Sequence, residues 1–337
     1  MEENVSLREW NSFGLDIWAK KVFVLEREED FPTFKKYFNQ ERRDFLILGG
    51  GSNILFIHEP DMLIGKMQIK GIECIAEDAE SMTLRVGAGE NWHQFVLWTV
   101  ERNLGGIENL SLIPGTVGAS PIQNIGAYGV EVKDIIESVE AWHIEDEKWI
   151  RLSNKECAFD YRNSIFKQAL KGKLIISRVI FKLQKNPTQF KTEYGSIREE
   201  LEKRQWLPSV KNISEVVIAI RKSKLPDPAE IGNAGSFFKN PLIRVEQFQK
   251  LIAQYPEMPH YPTADTEWVK VPAGWLIEKA GWKGFRRGDV GVHSKQALVL
   301  VNYGKGTGSE IYALSGEIMA DIYSKFGIEL EREVNCI

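Results

Sequence analysis

The stretch that most constrains the fold is GGIENLSLIPGTVGASPIQNIGAYG, residues 105–129, which suits neither an amphipathic helix nor an alternating strand. Gly115, Gly118, Gly126 and Gly129, with Pro114 and Pro121, force repeated turns, so the backbone N–H groups cannot all be spent in one ladder. Amides left over in this way look for an external acceptor, and a concave nest of them favours an anion. The run carries Ile107, Leu110, Leu112, Ile113, Ile122 and Ile125 but no lysine or arginine. A solvated surface loop is the plain alternative, and that composition argues against it. A cradle for a phosphate-bearing ligand is the expectation.

A chain of 337 residues exceeds one ordinary core, so two or three subdomains are expected. A net charge of -4 argues against nucleic acid as the main partner. Cys74, Cys157 and Cys336 lie far apart without CxxC spacing, which suggests reduced thiols. The five histidines are scattered, with no HExxH, so no metal site is signalled. The acidic start MEENVSLREW is unlike a signal peptide and no apolar run approaches a membrane span, so the sequence points to a cytoplasmic address away from membranes.

Along the chain, a strand at 22–25, a helix at 31–40 and an apolar strand at 45–48 run into Gly49-Gly50-Gly51-Ser52-Asn53. That order resembles a nucleotide-binding unit, yet the spacing is neither GxGxxG nor a P-loop. A tight strand-to-strand turn explains the glycines about as well. Short strands follow to residue 86, then a helix over 91–103 with Trp92, Phe95, Val96, Thr99 and Val100 at helical spacing. SVEAWHIEDEKWIRL reads as a hairpin turning at 145–148, and 174–183 as a strand. Texture changes between 186 and 228, where TQFKTEYGSIREE is polar and a helix over 213–223 ends at Pro226 and Pro228. The final part predicts helices at 245–254 and 273–280 and a strand at 297–301. Next comes a helix opened by the capping box Thr307/Glu310 and closed by Gly327, with Ile311, Leu314, Ile318, Ile322 and Phe326 as its stripe. In IELEREV a strand would aim Glu329, Glu331 and Glu333 the same way. The fold class expected is α+β.

Taken singly, the polar candidates read blandly. Ser236, between Gly235 and the pair Phe237-Phe238, is a turn serine or a hydroxyl hemmed by aromatics that exclude water; no nucleophile elbow accompanies it. Arg162 is a surface ion pair and Glu333 a solvated edge charge.

Together, LGGGSN, GAGENWHQFV, ENLSLIPGTVGASPIQNIGAYGVE, YRNSIFK, KLPDP, GNAGSFFKNP, AGWLIEKAG and LEREV resemble the UDP-N-acetylenolpyruvoylglucosamine reductase family, with the blocks in the family's order from about Asn11 to Val334. The Tyr194 segment is similar to the family's first type, in which a tyrosine loop closes over substrate. The resemblance implies a two-part FAD-binding region of the vanillyl-alcohol-oxidase type, over 1–68 and 69–215, and a separate α/β substrate-binding domain over 216–326. A C-terminal strand, 327–337, would pack back near the active site. It implies FAD contacts from Gly49, Gly50, Gly51, Ser52, Asn53, Pro114, Gly115, Ser120, Pro121, Gln123, Asn124, Gly126, Ala127, Tyr128 and Gly129. Arg162 matches an active-site arginine, Ser236 a proton donor and Glu333 an active-site glutamate. Tyr161, Tyr194, Lys224, Asn240 and Gln296 match substrate-contacting positions, with Tyr128 and Arg221 contributing lesser contacts. One departure is Asn335, where the family pattern has arginine.

The implied chemistry is reduction of UDP-N-acetylglucosamine enolpyruvate by a monomeric enzyme. NADPH reduces FAD and departs; hydride then passes from flavin N5 to the terminal vinyl carbon. Arg162, with Glu333 fixing the local hydrogen-bond pattern, stabilises the resulting aci-carboxylate, and Ser236 protonates the α-carbon. Two other readings compete: a different FAD oxidoreductase of the same fold, against which GSFFKNP and KLPDP argue, and a catalytically silent nucleotide-sugar binder.

Overall fold

A computed structural model describes residues 1–41, 44–263 and 265–337 of the chain. Contacts divide it into two units. The first comprises Met1–Val5, Ala19–Gly50 and Asp61–Ser223; the second comprises Ser6–Trp18, Gly51–Pro60 and Lys224–Ile337. The expected divisions at 68/69 and 215/216 fall inside the first unit, whose own edge lies at Ser223.

The first unit opens with a four-stranded sheet in the order Glu2–Ser6, Trp18–Leu25, Leu63–Met67, Phe45–Leu48, and the last three run parallel. Helix Asp30–Glu41 connects the second of these strands to the fourth, the crossover that parallel pairing requires. Leu63–Met67 is central and buried at all five positions, as a strand covered on both faces should be. A larger antiparallel sheet follows, ordered Lys148–Ser153, Ile136–His143, Leu174–Lys185, Ser81–Gly87, Ile72–Glu77. The predicted hairpin is its edge, with His143 opposite Lys148. Helix Trp92–Glu101 begins where the Asn91 carboxamide accepts from the Gln94 N–H, and it buries Trp92, Phe95, Val96 and Thr99.

Two helices close this unit, Ile197–Arg204 and Val210–Lys224. The first was not anticipated, because only Ile197 and Leu201 form its apolar face. Those two pack on Ile213, Val216, Val217 and Ile220, with Tyr128 against the cluster.

The second unit is α/β. A sheet ordered Gly232–Asn233, Leu300–Asn302, Val290–Val292, Arg286–Arg287 accompanies the three-stranded set Leu242–Arg244, Trp268–Lys270, Tyr261–Pro262. The strand expected over 297–301 starts later, since Val299 N–H turns back to Gln296 O. Helices Val245–Gln254, Ala273–Lys279 and Gly308–Phe326 cover it. Gly308–Phe326 has both halves of the predicted capping box, its whole stripe is buried, and Gly327 closes it at φ +63°. Each such side chain contributes roughly 1.5–3 kcal/mol of burial.

Two early segments are built into this unit. Phe13, Leu15 and Leu55 lie in its core, and Asn302 Nδ2 donates to Phe13 O at 2.9 Å. The tail departs from the expected strand: residues 328–334 are extended with one bridge, Arg332 to Phe238, and the regular strand is Asn335–Cys336, parallel to Ile54–Leu55. Glu329 and Glu331 are exposed, whereas Glu333 is half-buried, so the three carboxylates do not share one environment.

Candidate active site

In the first unit the glycine run folds as a chain of short turns. The N–H groups of Ala119, Ser120 and Asn124 donate to carbonyls three residues back, Ile125 N–H to Ser120 O, and those of Val117 and Gly118 to Glu90 and Ala88. Much of the stretch therefore satisfies itself, contrary to the expectation that its amides await an outside acceptor. What it offers instead is bare backbone. A Cβ on Gly49 would lie 2.4 Å from Thr116 Oγ1, and one on Gly50 would lie 2.9 Å from the Gly115 Cα. Only glycine lets these two turns meet so closely.

Arg162 occupies the tip of the tight turn Asp160–Asn163 at φ +51°. Its guanidinium donates to Gly126 O at 2.6 Å and Asn124 O at 3.4 Å, and it lies over the Tyr161 ring. Asn124 is the hub of this seat. Fully buried at φ +46°, it donates to Glu131 Oε2 (2.9 Å) and Asp160 O (3.1 Å) and accepts from Lys133 N–H (3.1 Å). Ser120 is buried, its hydroxyl turned back to Val117 O at 2.7 Å. Pro121 O accepts from the Asn124 N–H. Ala127 pairs with Val130 and Gly126 with Glu131 in a small hairpin.

Tyr128, at φ +51°, and Gly129 meet the Tyr194-Gly195 turn. Tyr194 Cβ stands 3.3 Å from where a Gly129 Cβ would be, and the Tyr128 ring is equally close to Gly195. Tyr194 itself is exposed. Burial raises the Tyr128 hydroxyl pKa, opposed by the nearby Arg221 charge. Arg221 Nε donates to Leu112 O at 3.2 Å, and burial lowers that guanidinium's own pKa. His93 accepts from Leu112 N–H; burial first, then Arg221, hold its pKa below the usual value.

In the second unit Ser236 and Glu333 lie on adjacent extended segments. Glu333 N–H donates to Phe237 O at 2.8 Å and Lys239 N–H to Glu331 O at 2.9 Å, bracketing the Phe238–Arg332 bridge. Ser236 is exposed beside Gly235. The expected aromatic hem is not there: Phe237 and Phe238 turn into the core, Phe237 meeting Phe13 edge-on at 6.3 Å. Both consecutive rings are buried while the serine stays at the surface, so the aromatics serve the core and do not shelter the hydroxyl.

Asn240 and Gln296 converge on the start of helix Ala273–Lys279. Asn240 Oδ1 accepts from Ala273 N–H at 2.9 Å, and a Cβ on Gly274 would lie 3.2 Å from Gln296 Oε1. Lys224, exposed, leads into LPDP, whose Pro226 carbonyl accepts from Asn233 Nδ2 at 3.2 Å. Gly51, at φ +63°, would drive a Cβ into the Trp10 carbonyl. Asn53 Nδ2 donates to Glu333 O at 3.3 Å, and Asn335 ties back to Asn53 O through both its backbone and its side chain. The tail is thus pinned beside the Gly51–Asn53 turn.

Sequence reasoning missed the polar underpinning of the glycine run. Asn109 donates to Tyr128 O and Lys191 O, and Ser111 Oγ shares a hydrogen with Ser214 Oγ at 2.8 Å. Lys66 was also missed, hidden inside an apolar strand. Polar residues within otherwise apolar stretches were the available signal.

Comparison with known proteins adds the following. The family described as UDP-N-acetylenolpyruvoylglucosamine reductase, C-terminal domain, matches residues 227–337, and that described as FAD binding domain matches residues 19–153. The UDP-N-acetylenolpyruvoylglucosamine reductase of Flavobacterium johnsoniae is 48% identical over 100% of this chain and 99% of its own. That of Amoebophilus asiaticus is 47% identical, covering 100% and 99%, and that of Pseudomonas putida 44%, covering 99% and 98%. The solved reductase from Thermus caldophilus superposes with a TM-score of 0.68 at 23% identity over 99% of this chain and 98% of that one, a likeness of fold. The expected fold class, α+β with an FAD-binding region of the vanillyl-alcohol-oxidase type and a separate α/β portion, is borne out.

Proposed function

Because this chain belongs to the UDP-N-acetylenolpyruvoylglucosamine reductase family, we propose that it reduces UDP-N-acetylglucosamine enolpyruvate to UDP-N-acetylmuramate at the expense of NADPH. It is an FAD-dependent oxidoreductase of this type. The reaction belongs to peptidoglycan precursor synthesis, and we place the protein in the cytoplasm as a monomer. No helix among the described residues is long and apolar enough to cross a membrane.

The residues present fit the cofactor. Gly50 meets the Gly115 backbone and Gly49 the Thr116 side chain too closely for either to carry a Cβ, and bare backbone such as that at Gly49 and Gly50 approaches a diphosphate closely. Gly49, Gly50, Gly51, Ser52, Asn53, Pro114 and Gly115 would hold the FAD diphosphate. Ser120, Pro121, Gln123, Asn124, Gly126, Ala127, Tyr128 and Gly129 would flank its ring system. When bound, FAD supplies the hydride that the terminal vinyl carbon accepts.

The chain's own residues supply the rest. An enolpyruvyl ether accepts hydride only if its carboxylate can carry the negative charge that develops at the α-carbon. Arg162 meets that need, its guanidinium oriented by the Gly126 and Asn124 carbonyls. Glu333 fixes the hydrogen-bond pattern around the charge, and Ser236 gives its proton to the α-carbon. Tyr161, Tyr194, Lys224, Asn240 and Gln296 hold the nucleotide sugar, with Arg221 as a lesser contact. The observation that supports this reading is the ladder that pairs Glu333 with Phe237, the residue next to Ser236.

The test is an absorbance spectrum of the purified protein followed by anaerobic NADPH titration. Flavin absorbance that NADPH bleaches and UDP-N-acetylglucosamine enolpyruvate restores supports the reading. Flavin that NADPH leaves unchanged, or that the enolpyruvate fails to reoxidise, contradicts it.

A further inference from the structure

Beneath the glycine turn that ends strand Phe45–Leu48 lies a lysine that no motif singles out. Lys66 is the fourth residue of the buried strand Leu63–Met67, flanked by Val24 and Leu48 on its parallel neighbours. Its Nζ donates to the Gly49 carbonyl. Lys70, four residues on, makes the same contact with the Gly89 carbonyl. Gly89 fits there because a Cβ would lie only 2.7 Å from the Gln68 backbone. The turn that holds Gly89 supports the glycine run in turn: Trp92 N–H donates to Gly115 O, Val117 N–H to Glu90 O and Gly118 N–H to Ala88 O. Two glycine turns of the first unit therefore each hold an ammonium group, and the second of them braces the run 105–129, which contains no cation of its own.

Across a planar trans peptide the C=O and N–H point in opposite directions. Fixing the Gly49 carbonyl on Lys66 turns the Gly50 N–H away from the ammonium, at a residue that is itself exposed. We propose that Lys66 is a positioning residue of the FAD diphosphate cradle, holding the Gly49–Gly50 peptide with its N–H presented to the anion and placing a positive charge behind it. The proposal rests on the FAD reading above.

A buried ammonium is an expensive way to brace a turn, since a neutral side chain would avoid the desolvation. Desolvation first, then the Lys70 charge, lower the Lys66 pKa from 10.5 to about 8. Around the pair, Glu90 lies 3.9 Å from Lys70. The sign of the linkage separates a binding role from a structural one. Between pH 8 and 10.5 the unfolded chain holds the Lys66 proton that the folded chain has released, so this group makes the FAD-free protein more stable as pH rises. Loss of the same proton removes the charge behind the cradle, so FAD affinity falls over that window.

The experiment measures FAD dissociation constants of FAD-stripped protein from pH 7 to 10, with thermal unfolding alongside, for the wild type and Lys66→Met. The expected result at pH 7 is about 10- to 100-fold weaker FAD binding by Lys66→Met, the loss of the positive charge behind the cradle and of the fixed peptide, comparable to one charge-assisted hydrogen bond. Its melting temperature without FAD should be equal or higher, and its affinity should not respond to pH near 8. Wild-type affinity in Lys66→Met, or a fall in melting temperature with the pH response retained, would overturn the proposal. If the variant does not fold, the wild type decides alone: affinity that falls through pH 8 supports the role, and flat affinity rejects it. Wild-type protein that takes up no FAD at any pH would reject the FAD reading as well.

Discussion

In the first unit Arg162 is seated by the carbonyls of an irregular turn, whereas in the second Ser236 and Glu333 are set by paired backbones. The first arrangement depends on side chains. Asn124 alone joins Glu131, Asp160 and Lys133 around the guanidinium, at a left-handed backbone position. The second depends on main-chain bonds that any residue could make, with glycine favoured at the φ +70° position of Gly235. The Arg162 guanidinium therefore draws on many neighbours, while the exposed Ser236 hydroxyl draws on few.

That contrast can be broken by substitution. Asn124→Ala should cost about 3 kcal/mol, since it strips three part-buried hydrogen bonds from a fully buried carboxamide and leaves partners unpaired. Denaturant unfolding measures it, and a loss below about 1 kcal/mol would mean the seat does not depend on its hub. Gly49→Ala should cost about 1–3 kcal/mol by overpacking against Thr116. Much of that loss should vanish in a Thr116→Ala background, and a double-mutant cycle showing strict additivity would refute the contact. Glu331→Gln should do least. It removes the ion pair with Lys239, but Glu331 is largely exposed and the Lys239 N–H to Glu331 O bond remains, so stability should change by less than about 1 kcal/mol. A larger loss would show that the second unit also leans on its side chains.

Regular elements were legible because their signals are local. The capping box at Thr307, the stripe of Gly308–Phe326 and the hairpin at 136–153 follow from spacing alone. Helix Ile197–Arg204 was not legible, since two apolar residues at i and i+4 make too narrow a face. The candidate site was legible as motifs and much less so as geometry. GSFFKNP suggests a serine sheltered by aromatics, but both rings are drawn into the core and the serine is left at the surface. Asn124 and Lys66 act through partners distant in sequence, Asp160 and Gly49, which no short pattern encodes. The joining of Phe13 and Leu55 to a core formed mostly after residue 224 was likewise invisible, because apolar content does not say which core a residue enters.

Rapid-mixing kinetics of Ser236→Ala, followed through the flavin absorbance in each half of the cycle, tests the central claim most directly. Reduction by NADPH should proceed at nearly the wild-type rate, while reoxidation by UDP-N-acetylglucosamine enolpyruvate slows by about 10²- to 10⁴-fold, the usual contribution of a positioned proton donor. Equal slowing of both halves, or reoxidation at the wild-type rate, would contradict the account.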